Sequence, residues 1–124
     1  MKKDILNKKD IEKLVNLFYE KVKKDTIIGH FFNDDIKVNW DKHLQVMYNF
    51  WENVVFYTGS YNGNPMQKHF DIHAKHPLSM RDFNQWTTLF NESVDELFEG
   101  EKAEMIKQKA LNIATVMKIK IIEQ

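Results

Sequence analysis

Apolar side chains recur at helical spacing along most of this chain, and that period constrains the fold more than any other feature. Ile11, Leu14, Val15, Phe18 and Val22 stand at i, i+3, i+4, i+7 and i+11 in a first segment running from about Lys8 to Asp25, which places them on one helical face. A second segment runs from about Asn39 to Tyr57, with Trp40, Leu44, Met47, Trp51 and Val54 on one stripe and His43 and Phe50 beside it. A short helix starts near Pro65 and ends before Pro77, because the residue before a proline is pushed out of helical geometry. Ser79 then reads as a cap, with Asp82 three residues on. From there Phe83, Trp86, Leu89 or Phe90, Val94 or Ser93, and Leu97 run to a stop at Gly100, and Ala103, Ile106, Ala110, Ile113, Met117 and Ile121 mark a last helix. The four glycines and two prolines fall between these segments. Gly29 interrupts a short piece ending at Phe31-Phe32, Asn33-Asp34-Asp35 reads as a turn, and Gly59 to Asn64 reads as a loop. No segment alternates as a strand would. The expectation is all-α, with four long helices and one or two short ones, in a single domain over residues 1–124 with its core at about 11–117.

Composition narrows the function classes. The 18 basic and 18 acidic residues cancel, which argues against a nucleic-acid binder. The absence of cysteine excludes disulfides, Cys-ligated zinc, iron–sulfur clusters and thiol nucleophiles. No stretch approaches the roughly 20 apolar residues of a membrane span, and no apolar leader comes after the N-terminal lysines. The chain therefore reads as soluble and cytoplasmic, with no membrane partner. Nine Phe, three Trp and four Tyr offer large flat surfaces suited to packing together or to lining a pocket for something flat and apolar.

The richest segment for chemistry is Tyr61-Asn62-Gly63-Asn64-Pro65-Met66-Gln67-Lys68-His69. Pro65 suits the first helical position, where its missing N–H costs nothing. His69 then lies one turn into the helix, on the face shared by Met66, Phe70 and His73, where an imidazole can serve as a metal ligand. Three other polar groups stand on apolar faces. Taken singly, each has an ordinary reading: Tyr19 as a core-edge tyrosine with its hydroxyl in water, His43 as a surface histidine at a helix start, and Trp86 as core.

Together these blocks resemble a known family. Phe-Tyr-Glu-Lys-Val at 18–22, His-Phe-Phe at 30–32, Trp-Asp-Lys-His-Leu at 40–44, Asn-Phe-Trp at 49–51, the segment 61–69 and Phe-Asn-Gln-Trp-Thr-Thr-Leu-Phe at 83–90 are similar to the group III truncated haemoglobins. The resemblance spans about Ile11 to Met117 and rests on the order and spacing of all six blocks. It implies a shortened globin, a two-over-two helical sandwich around one haem b. It also implies His69 as the proximal iron ligand and Tyr19, His43 and Trp86 as distal residues. Met47, Phe50 and Trp51 would wall the distal cavity, and Phe31 and Phe32 would occupy the corner where globins place a ring against the porphyrin. The glycine-pair motifs of other truncated globin groups are missing, as group III would have it.

The chemistry is consistent with this. Imidazole is a standard axial ligand to haem iron and leaves the opposite position free for dioxygen or another diatomic ligand. Tyrosine O–H and indole N–H can both donate to a ligand carrying partial negative charge. Several donors favour retention over easy release, hence capture, sensing or haem redox chemistry. A peroxidase or nitric oxide dioxygenase-like activity, fed by an electron-donating reductase, belongs to that class. Lys68, Lys75 and Arg81 are candidates to pair with the haem propionates. A rival reading uses His69, His73 and His76, at i, i+4 and i+7, to bind a divalent metal without haem.

Overall fold

The structure, a computed structural model, describes residues 2–59 and 61–122. Ser60, in the loop expected at 59–64, and residues 1, 123 and 124, at the ends of the expected domain, lie outside the described residues. Among the described residues the regular structure is entirely helical: α1 (Lys8–Lys24), α2 (Trp40–Phe56), α3 (Pro65–Lys75), α4 (Met80–Leu97) and α5 (Glu101–Met117), with π-helical turns at Phe31–Asp35 and Lys118–Ile122.

The helix starts obey their capping chemistry. Asn7, Asn39 and Asn64 accept the N–H groups of Asp10, Lys42 and Gln67 through their side chains, satisfying donors that a helix start leaves orphaned. Ser79 and Asp82 form a reciprocal capping box at α4. The expected turn at Asn33–Asp35 is corrected: these residues continue the π-helical turn begun by Phe31. That turn is closed by the Ile36 N–H donating to the Phe31 carbonyl at 3.1 Å.

α1 packs on α2 and α4 on α5, and across the sandwich α1 meets α4 and α2 meets α5. This is the two-over-two arrangement, and it buries one face of each long helix. Its main core holds Ile11, Leu14, Phe18, Trp51, Val55, Phe90, Val94 and Ile106. A second, smaller cluster of Phe83, Met117 and Ile121 receives Met66 and Phe70 from α3. α3 itself buries no residue fully, so it lies against the sandwich as a side wall. The buried core starts earlier and ends later than the 11–117 span of the periodicity, since Ile5 and Ile121 are both buried.

Candidate functional site

The two apolar clusters share Leu78 and Ile113, which pack against both. Between them lies a cavity of about 230 Å3. Its lining includes Tyr19 of α1, Phe31 and Phe32 of the π-turn, His43, Met47, Phe50 and Trp51 of α2, and Trp86 of α4. It also includes Pro65, Lys68, His69 and Ile72 of α3, with Leu78, Phe83 and Met117. All nine side chains singled out in the sequence therefore line one space.

On the α3 side, the His69 Nδ1 lies 2.7 Å from the Pro65 carbonyl oxygen. A carbonyl only accepts, so Nδ1 carries the proton and the Nε2 lone pair is left free. Burial lowers the His69 pKa, partly opposed by the Pro65 carbonyl, and the ring is neutral at pH 7. The helix start explains the geometry. Pro65 is the first residue of α3 and lies four residues before His69, so the ring reaches back along its own helix to the Pro65 carbonyl. The Phe83 ring stands 6.4 Å away, centroid to centroid.

The lining from α1, the π-turn, α2 and α4 is rich in aromatic rings. Trp51, Trp86 and Phe90 stack, with centroids 4.6 Å apart for Trp51–Phe90 and 5.7 Å for Trp86–Phe90. Tyr19 meets Phe18, Phe32, Trp40 and His43 edge-on at 4.9 to 5.7 Å. Tyr19 is buried, not at a wet core edge, and burial pushes its phenol pKa up, so it remains a neutral donor. His43 is half-buried rather than on the surface. Its Nε2 is buried without a hydrogen-bond partner. Its pKa is lowered by burial and then by the positive charge of Lys68.

Of the three cations considered for the cavity rim, Lys68 lines the cavity; Lys75 and Arg81 are exposed and are not part of the lining. Both Phe31 and Phe32 reach the cavity. Sequence reasoning missed Tyr61, Ile72, Leu78, Phe83 and Met117 as lining residues. Phe83 and Met117 sit on the apolar stripes of α4 and α5, where a cavity wall and a packed core look alike.

The metal reading of His69, His73 and His76 is corrected. The His73 Nδ1 accepts the Leu78 N–H at 2.8 Å, and His76 is the C-cap of α3 in extended backbone, so the helical register ends before it. Among the described residues no group of three or more His, Asp or Glu side chains is placed to hold a metal ion.

A family model described as bacterial-like globin matches residues 4–121. A group 3 truncated hemoglobin of Campylobacter jejuni is 36% identical over 118 residues, 93% of this chain and 91% of that protein. The crystal structure of a group III truncated hemoglobin from Campylobacter jejuni matches with a TM-score of 0.86 and 35% identity, covering 98% of this chain and 95% of that one.

Proposed function

This chain belongs to the bacterial-like globin family, and from that premise we propose that it binds one haem b in the cavity through His69 and takes dioxygen or another small diatomic ligand on the opposite side. The observation that carries the assignment is the His69 ring. It is neutral, its Nδ1 is fixed by the Pro65 carbonyl, and its Nε2 is left for a metal in a mainly apolar cavity. The donor set fits: a neutral imidazole with a backbone-bonded second nitrogen is the form that ligates, and the aromatic walls suit a flat macrocycle. Haem, held through the His69 imidazole, would supply an iron able to take up the small ligand.

The chain's own residues govern how the small ligand is held. Tyr19 and Trp86 donate hydrogen bonds towards it, and each such bond contributes about 1–3 kcal/mol because the acceptor is partly charged and buried. At about 1.4 kcal/mol per factor of ten, two of them slow escape strongly. His43 covers the cavity on the same side, its unpartnered Nε2 available to a ligand. Lys68 pairs with a haem propionate at the rim. Retention of this kind suits capture, sensing or redox chemistry, the last drawing electrons from a separate reductase.

The test is the absorption spectrum of the purified protein in ferric, ferrous and carbon monoxide forms. A Soret band that shifts on reduction and again with carbon monoxide supports the reading. A colourless protein that takes up no added hemin contradicts it.

A further inference from the structure

We infer that Trp40, pinned by Lys23, is the latch that holds His43 across the cavity and thereby sets how fast a small ligand enters; the inference rests on the haem-globin reading above. Trp40 is not part of the cavity lining. It stands one layer further out, half-buried, and three lining residues from three different elements converge on it. Its ring centroid lies 5.5 Å from Tyr19 of α1, 5.9 Å from Phe32 of the π-turn and 5.7 Å from His43 of α2. The Lys23 ammonium sits over this ring, 3.9 Å from its centroid, well inside cation–π range.

His43 needs such a restraint. Its Nε2 is buried and makes no hydrogen bond, so at that nitrogen nothing polar anchors the ring. What surrounds the imidazole is aromatic packing: Tyr19 at 5.1 Å, Trp40 at 5.7 Å and Phe32 at 6.2 Å. Among these three, Tyr19 and Phe32 belong to the cavity wall itself, and Trp40 alone backs the ring from outside the cavity. An outward swing of His43 must therefore displace Trp40, and Trp40 must slide from beneath the Lys23 cation. Trp40 is itself held at its base, because it is the first residue of α2 and Asn39 caps that helix. It is a positioning residue, acting through His43.

Flash photolysis of the haem-loaded, carbon monoxide-bound protein tests this, with the association rate as readout. Trp40→Leu should speed association about tenfold, equivalent to ~1.4 kcal/mol of ring contacts removed. Lys23→Met keeps the stem but not the charge, and should give about two- to fivefold. In a His43→Ala background neither substitution should change the rate further. A second readout does not depend on ligand binding: modification of His43 by diethyl pyrocarbonate, followed by mass spectrometry, should accelerate in Trp40→Leu, while exposed His30 reacts as before. If Trp40→Leu does not fold, Lys23→Met carries the test from the surface. Association and modification rates unchanged in both variants would overturn the latch. So would an equal acceleration with and without His43, which would make Trp40 general packing. Failure of the parent reading is distinct, since a protein without haem gives no photolysis signal at all.

Discussion

At the residue scale, one cavity brings His69 together with Tyr19, Trp86 and His43. Tyr19→Phe and Trp86→Phe each remove a donor and keep a ring, and for Trp86 the stack with Phe90 should persist. Each should raise the dioxygen dissociation rate, with a smaller effect on carbon monoxide, which carries less negative charge. Loss of one bond corresponds to about a 5- to 150-fold change. The double variant is the cleaner measurement, because neighbouring donors can compensate for each other. Stopped-flow dioxygen off-rates equal to wild type in the double variant would leave these residues a steric role only. His73→Ala and His76→Ala should leave the haem spectrum unchanged, since His73 is engaged by the Leu78 N–H. The residue types at this site were legible in the sequence because their spacing is distinctive. The environment of His43 was not: its half-burial comes from Trp40, Phe32 and Tyr19, two of which lie on elements whose approach no local pattern reports. For the same reason three rim cations were equivalent until α3 was placed, when Lys68 alone reached the cavity lining.

At the element scale the helix starts carry much of the information. Ser79 with Asp82, and Asn64 with Pro65, are local signals, and both helices begin where those residues put them. α5 is different. Its N-cap, Gly100, has no side chain to offer. The cap comes from Asp4, whose carboxylate accepts the Lys102 and Ala103 N–H groups at 2.9 Å. A partner nearly a hundred residues away leaves no trace in the local sequence, and for that reason the N-terminal segment fell outside the expected core. Gly100 is also required by its φ of +140°, and a Cβ there would meet the Asp4 carboxyl at 2.6 Å. Asp4→Ala should therefore cost about 1 kcal/mol of stability, within the usual range for a lost N-cap, read as a lower urea midpoint at unchanged slope. Gly100→Ala should cost at least as much, through backbone strain and displacement of Asp4. Wild-type midpoints in both would mean that Asp4 does not cap α5. The π-turn at Phe31–Asp35 also escaped the sequence reading, because Asn-Asp-Asp carries turn chemistry whether or not helical bonding continues through it.

At the scale of the whole molecule, stability and cavity are linked through pH. Burial pushes the pKa of Asp4, Asp10 and Asp25 up. Donors outweigh it in each case: backbone N–H groups at Asp4, Lys3 at Asp10, and the Ile28 N–H with Gln85 at Asp25. Their pKa values lie below the ordinary 3.8, so their contribution is present above about that pH and is lost as the pH falls through the lowered values. His43 and His69 act earlier. Both lie below the ordinary 6.5, so the unfolded chain takes up their protons first and stability falls as the pH drops below 6.5. Urea unfolding of the haem-free protein should therefore show two declining limbs, one beginning near pH 6.5 and one near pH 3.8. His43→Leu should flatten the first. A single decline confined to the carboxylate range would contradict the burial of both imidazoles.

Everything proposed for the cavity depends on His69 holding the iron, and imidazole rescue probes that bond itself. The ferrous absorption spectrum of His69→Gly is recorded while free imidazole is titrated in. His69→Gly should lose haem or show an altered spectrum without imidazole, and imidazole should restore the wild-type ferrous spectrum by filling the space left beside Pro65. A His69→Gly protein that keeps the wild-type ferrous spectrum with no imidazole present would contradict the assignment of His69 as the iron ligand.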